Sequence, residues 1–240
     1  VTFAQAEFDV RFEWGLTGMR AVGGGANAIV IVDVLTFTTA VDVAAGQGAA
    51  VFPFPWMRPA AAHYAAALGA VAAAKRGAGY SLSPASLREI PAGTRLVLPS
   101  PNGATLAFGI EHGAVLAGCL RNASAVAAAA AGIGPRVAVI AAGEGWMDGG
   151  LRPCFEDLVG AGAAIAGLAG RKSPEACAAE AAFRAARSEL GALLRLCGSG
   201  KELIERGFPE DVEMAAELDA SGHAPRLMDG AFRLPQGDSS

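Results

Sequence analysis

Ala28-Ile29-Val30-Ile31-Val32-Asp33-Val34-Leu35-Thr36-Phe37-Thr38-Thr39-Ala40-Val41-Asp42-Val43-Ala44 changes its periodicity halfway along. Residues 28–32 are an unbroken apolar run rich in β-branched side chains, the pattern of a strand buried on both faces. From Phe37 the apolar residues fall at Phe37, Ala40, Val41 and Ala44, which is helical spacing. Asp33 and the hydroxyls of Thr36, Thr38 and Thr39 lie at the junction. In an open parallel sheet, ligands gather beyond the carboxyl ends of the strands, beside helix N-termini. A carboxylate there suits a cation, and hydroxyls with free helix N–H groups suit an anion. The plainer reading is that Asp33 or Thr36 caps the helix.

The same unit recurs along the chain. Residues 8–14 alternate, with Phe8, Val10, Phe12 and Trp14 on one face, and lead into a short helix or turn over 16–21. Residues 50–54 form a strand whose Pro53 and Pro55 predict a place at a sheet edge. An Ala-rich helix over 58–74 breaks at Gly69, with a short strand over 70–74, and a Gly/Ser/Pro loop covers 77–84. Strands over 95–99, 114–118 and 136–141 end in Ser100-Pro101-Asn102-Gly103, Cys119-Leu120-Arg121-Asn122 and Ala142-Gly143-Glu144. A helix follows each of the first two tips. Strand, polar tip and helix, repeated in this way, predict a mainly parallel sheet with helices on both faces. Asp33, Ser100 with Asn102, Arg121 with Asn122, and Glu144 then converge on one sheet edge.

Beyond residue 155 the pattern is helical. Gly160-Ala161-Gly162 permits close helix packing, and Ser173-Pro174 starts a helix that extends to Leu196. Gly198-Ser199-Gly200 breaks it, and short helices follow over 201–206 and 209–218. The tail 226–234, turning at Asp229-Gly230, reads as a hairpin or an extended arm. The expected organisation is one domain over 1–240, with a sheet core over 7–145 and a helical part over 155–220.

Composition bounds the function. The 240 residues are 52% hydrophobic and 18% charged, with a net charge of -4. This suits a compact α/β enzyme and gives no sign of a nucleic-acid or membrane-surface binder. No run reaches the roughly 20 apolar residues of a membrane span, and residues 1–5 lack a signal-peptide layout. A cytoplasmic location is the expectation. Four scattered cysteines form no C-x-x-C pair, and reduced thiols fit better than a zinc site. His63, His112 and His223 lie in unrelated contexts and read as surface or packing residues.

The tips offer the carboxylates Asp33, Glu144, Glu156 and Asp157, the Arg121 guanidinium, and the carboxamides of Asn102 and Asn122. Carboxylates without clustered His or Cys favour a hard cation. Arg, Asn and helix N-termini favour phosphate or carboxylate. Together they point to metal-assisted chemistry on a phosphorylated or polyanionic small molecule. Each has a plainer role: Asn102-Gly103 is a common turn pair, Asn122 an N-cap, Asp157 first-turn helix charge. There is no Gly-Lys-Ser/Thr of a Walker loop and no G-x-S-x-G elbow. Cys119 lacks an Arg six residues on, and Asp33 lacks an Asp two residues on.

Read as a set, Val32-Asp33-Val34-Leu35-x-Phe37-Thr38-Thr39, Ser100-Pro101-Asn102-Gly103, Gly118-Cys119-Leu120-Arg121-Asn122-Ala123, Ala142-Gly143-Glu144 and Glu156-Asp157-Leu158-x-Gly160-Ala161-Gly162 resemble the 2-phosphosulfolactate phosphatase family. Gly207-Phe208-x-x-Asp211-Val212 and Asp219-x-Ser221 extend the likeness over nearly the whole chain. The resemblance implies a Mg²⁺-dependent acid phosphatase that hydrolyses 2-phospho-3-sulfolactate to 3-sulfolactate and phosphate, in coenzyme M biosynthesis, on a three-layer α/β/α fold. On this reading Asp33, Glu144 and Asp157 hold the metal ion, directly or through waters. The same reading puts Thr38, Thr39, Ser100, Asn102, Gly103, Arg121 and Asn122 around the substrate, and Asp33, Arg121 and Glu144 in catalysis. Cys119 is a candidate nucleophile, with a metal-bound water as the simpler attacker. Many members carry Arg after Asp-Val-Leu, where this chain has Thr36. That departure points to another phosphomonoester of a hydroxy acid, with Arg121 or Arg152 supplying the missing cation. Two rival readings remain: a binding protein for a phosphorylated or polyanionic metabolite that lost catalysis, and an oligomer of identical chains joined through the Ala/Gly-rich helices and the tail.

Overall fold

The computed structural model describes residues 2–55, 58–108, 110 and 113–235; His112 and its reading lie outside them. The run 28–32 is strand β2 (Ala28–Val32), and all five of its residues are buried. Val30 and Val32 pack in one apolar cluster and Ile29 and Ile31 in another, one on each face. Strand β1 (Val10–Trp14) precedes it, followed directly by helix α1 (Gly15–Val22). After β2 come α2 (Phe37–Gly46), β3 (Ala50–Phe54), α3 (Arg58–Leu68) and the two-residue β4 (Val71–Ala72). Then follow β5 (Arg95–Pro99), α4 (Gly103–Phe108), β6 (Ala114–Gly118), α5 (Ala123–Ile133) and β7 (Val137–Ala141).

The large sheet has the order β1-β7-β2-β6-β10-β11-β3-β5-β4, where β10 (Arg226–Met228) and β11 (Ala231–Arg233) are the C-terminal hairpin. The pairs β1–β7, β7–β2 and β2–β6 are parallel, as are β3–β5 and β5–β4. The hairpin joins these two parallel sets and runs antiparallel to both, through Arg226 with Leu116 and Phe232 with Val51. Asp229 and Gly230, both at positive φ, make its two-residue turn. The tail is therefore a hairpin, and the sheet core is not confined to 7–145.

The placement corrects β3 as well. It is no edge strand, because β5 and β11 flank it. Its Pro53 is tolerated because β11 pairs only at Val51, so no ladder partner waits for the missing N–H.

Helices α1, α2 and α4 contribute to the cluster on one face of the sheet, and α5, α6 (Phe155–Ala166) and α7 (Pro174–Ala186) to the cluster on the other. This is the three-layer arrangement. Helix α7 starts at Ser173, whose hydroxyl accepts the Ala176 N–H at 3.1 Å. It stops at Ala186, and a 3₁₀ turn separates it from α8 (Leu190–Leu196). Gly198-Ser199-Gly200 is the first turn of α9 (Gly198–Glu205), not a break; Cys197 caps that helix and ends α8. Helix α10 (Pro209–Ala215) follows. A Cβ on Gly162 would lie 2.0 Å from the Ala179 carbonyl oxygen, so only glycine lets α6 and α7 approach this closely. No helix among the described residues is long and apolar enough to cross a membrane.

Candidate active site

The tips of β2, β5 and β7 meet at one cavity of about 680 Å³, within the range of small-molecule sites. Asp33, from the end of β2, and Glu144, just past β7, both line it. Ser100 and Asn102 line it from the end of β5, although four strands separate β5 from β2 in the sheet order. The loop after β5 closes that distance. The Gly103 N–H donates to Asp33 Oδ2 at 2.8 Å, and Asn102 Nδ2 donates to Glu144 Oε1 at 3.0 Å. Residues 144–145 and 151–152 pair as the short ribbon β8 (Glu144–Gly145) and β9 (Leu151–Arg152).

Asp33 is 4% exposed. Burial pushes its carboxyl up to about 6, against the Gly103 and Phe37 N–H bonds and with help from the charges of Glu144 and Glu156. Each of its oxygens accepts one backbone N–H, and Oδ2 also accepts the Ser100 hydroxyl at 3.5 Å, which leaves Oδ1 with a free lone pair. Asp33 and Glu144 are thus two oxygen donors at one wall, without His or Cys, a set suited to a hard divalent cation that keeps waters and takes phosphate oxygens. Among the described residues no three carboxylate, imidazole or thiol groups converge on a metal position. Asp157 is not brought to the cavity. Its Oδ1 accepts the Val34 N–H at 2.8 Å and its Oδ2 the Gly143 N–H at 2.9 Å, so it clamps the loops that carry Asp33 and Glu144. Burial and the Asp33 and Glu156 charges raise its pKa well above the usual carboxylate range.

The hydroxyls of the first motif are committed to the backbone. Thr38 Oγ1 donates to the Asp33 carbonyl and accepts the Asp33 N–H, and Thr39 Oγ1 donates to the Val34 carbonyl. Both residues are buried and neither lines the cavity. They shape the tip that presents Asp33.

The β6 tip is also turned elsewhere. Arg121 Nε donates to Asp42 at 3.2 Å, and its Nη1 bonds the Met214 carbonyl and Glu217. Asn122 Oδ1 accepts the Cys119 N–H at 2.8 Å, and its Nδ2 donates to the Ala117 carbonyl. Burial, helped by the Asp42 charge, pushes the Cys119 thiol up to about 12, which keeps it protonated at neutral pH. Arg121, Asn122 and Cys119 do not line the cavity. Arg152 does not line it either; it stacks over Trp146 and donates to Ser199.

The guanidinium that the structure brings to Thr36 is Arg76. Its Nη2 donates to Thr36 Oγ1, and its Nη1 pairs with Asp211. Lys75, Arg76 and Arg206 give the cavity a cationic wall. The sequence reading missed Arg76, yet a signal was present: Lys75-Arg76 follows the short strand β4, which is parallel to β5, so the strand-tip rule applies to it too.

The sequence model of the 2-phosphosulpholactate phosphatase family matches residues 21–230. A protein named 2-phosphosulfolactate phosphatase from Methanothermobacter thermautotrophicus (strain ATCC 29096 / DSM 1053 / JCM 10044 / NBRC 100330 / Delta H) is 34% identical over 142 residues. That alignment spans 59% of this chain and 60% of the relative. With the match running through every tip that builds the cavity, the chain belongs to the 2-phosphosulpholactate phosphatase family.

Proposed function

We propose that the protein is a Mg²⁺-dependent phosphatase that hydrolyses the phosphomonoester of a small hydroxy acid, 2-phospho-3-sulfolactate in the first instance, to the free acid and phosphate. The observation that carries this reading is the pairing, in one cavity, of two oxygen-donor carboxylates with a cationic wall. Family membership and the name of the Methanothermobacter relative support the choice of ester.

Asp33 and Glu144 would hold the ion; Asp157 would fix the loops behind them. When bound, Mg²⁺ supplies neutralisation of charge on a phosphoryl oxygen as the ester bond breaks. Asn102 holds Glu144 through one amide hydrogen and has a second for a phosphoryl oxygen. Ser100 Oγ donates to Asp33 Oδ2 at 3.5 Å and accepts the Asn102 N–H at 3.3 Å, so it helps to orient the carboxylate and the loop that carries Asn102. Asp33, Phe37 N–H and Gly103 N–H form a buried unit set before substrate arrives, so little reorganisation accompanies the reaction. With no ionised thiol at hand, water attacks phosphorus and the hydroxy acid leaves.

Phosphate release from 2-phospho-3-sulfolactate, with Mg²⁺ and with EDTA, tests the proposal. Release that EDTA abolishes and Mg²⁺ restores is the expected result. Folded protein that binds the ester without releasing phosphate would replace the phosphatase with a binding protein.

A further inference from the structure

The cationic wall has no part in the bond-breaking described above, and one member of it is built into the fold. The Arg76 side chain is 12% exposed. Asp211, on its far side, is 1% exposed and also accepts the Ser83 hydroxyl and the Ala85 N–H. The Phe208 ring lies 5.6 Å from the guanidinium carbon. Thr36 Oγ1 accepts from Arg76 and donates to the Leu82 carbonyl at 2.8 Å, so its hydroxyl is fixed as well. Arg206, by contrast, is 57% exposed and pairs only with Glu202 on its own helix among the described residues.

Arg76 could be no more than the counter-ion of Asp211. Against this, only two of its five N–H groups have a protein partner among the described residues, and the side chain faces the cavity. A buried ion pair is also weak evidence of a stabilising role, since apolar replacements are often as stable. A guanidinium oriented by a carboxylate, an aromatic face and a hydroxyl, with donors to spare, is arranged to grip an oxyanion in a fixed direction.

We infer that Arg76 binds a second anionic group of the substrate, a sulfonate or carboxylate, on the Thr36 side of the cavity, and so selects phosphate esters of acids over those of neutral alcohols. Asp211 and Phe208 are positioning residues for it. The inference rests on the phosphatase reading for the reacting group, and its test separates the two.

The measurement is the ratio of kcat/KM for 2-phospho-3-sulfolactate, and for 2-phospholactate, to that for isopropyl phosphate, which carries neither acid. Arg76→Met should lower one or both ratios by at least about tenfold, the loss of one charge-assisted hydrogen bond. A fall confined to 2-phospho-3-sulfolactate identifies the sulfonate as the group held, and an equal fall for both acid esters identifies the carboxylate they share. Arg76→Met with Thr36→Arg should recover part of the ratio, because position 36 reaches the same space. Loss of turnover on all three esters in proportion, with the ratios unchanged, would overturn the inference, since a structural role moves all alike. If Arg76→Met does not fold, Arg76→Met with Asp211→Leu removes the buried charges together and the same ratios are read. If wild-type protein turns over no ester, the phosphatase reading fails and 3-sulfolactate binding by calorimetry decides the anion site. Binding lost with Arg76→Met supports it, and equal binding to both proteins overturns it.

Discussion

The Gly103 N–H reaches Asp33 Oδ2 at 2.8 Å and ties the start of α4 to the tip of β2 across the sheet. A Cβ at residue 103 would lie 2.6 Å from Phe37 Cδ1 and 2.8 Å from that same oxygen. The contact therefore depends on glycine for space. Gly103→Ala must push the β5 loop or the Asp33 carboxylate aside. We expect a stability loss of about 1–3 kcal/mol from the overpacking. Turnover should fall about a hundredfold, because an ångström of misplacement at a reacting site costs that much. Urea unfolding and phosphate release check the two parts, and unchanged turnover would refute the assignment of Asp33 to the site.

Asp33 makes the pH dependence of metal binding predictable. Its folded pKa is raised to about 6, so between the usual carboxylate range and that value the folded chain holds a proton the unfolded chain has lost. Its contribution to metal-free stability is thus largest at low pH, declines as pH rises to about 6, and is level above that. At the proposed site Mg²⁺ would compete with the same proton. The rise in Tm on adding Mg²⁺ should be small at pH 5 and larger at pH 7.5, and Asp33→Asn should remove the difference. Equal Mg²⁺ shifts at both pH values in the wild type would count against Asp33 as a ligand.

The parallel strands were legible because strands buried on both faces read as unbroken apolar runs, and the tips followed from where those runs stop. That logic found Asp33, Asn102 and Glu144 together. It does not say which way a tip side chain turns, and there the reading of Arg121, Asn122 and Thr39 departs from the structure. Each meets a nearer backbone or carboxylate partner, which no periodicity reports. Arg76 was hidden for a different reason. Its strand has two residues, and its counter-ion Asp211 lies 135 positions away. A hairpin was one of the two readings of the tail, but its place in the middle of the sheet was hidden, since single ladder contacts at Leu116 and Val51 leave no long pattern in residues 226–233.

Cys119 should be dispensable for turnover. Its thiol, pushed up to about 12, donates to Asn122 Oδ1 at 3.5 Å and does not face the cavity. Cys119→Ala should lose about 1–2 kcal/mol, a modest price for a small buried side chain, and retain Mg²⁺-dependent activity. Native protein should resist iodoacetamide at this residue at pH 7, as peptide mapping would show. A covalent phosphothiol trapped on Cys119 during turnover would reverse this conclusion.

Arg121 should govern stability and leave substrate affinity alone. It bridges Asp42, the Met214 carbonyl and Glu217. Asp42 also accepts the Ser221 hydroxyl at 2.7 Å, and the Ser221 N–H returns to the Arg121 carbonyl at 2.8 Å. The network fastens the segment after α10 to the tip of β6. Arg121→Met leaves Asp42, 1% exposed, without its cation, which costs about 3–5 kcal/mol for a broken buried pair. Burial already raises the Asp42 pKa, and loss of Arg121 raises it further. The folded variant then takes up a proton the unfolded chain does not hold, so its deficit relative to wild type should be smaller at pH 5 than at pH 7.5. KM for 2-phospho-3-sulfolactate, measured on the folded fraction, should stay at the wild-type value. A raised KM with unchanged Tm would instead return Arg121 to the substrate.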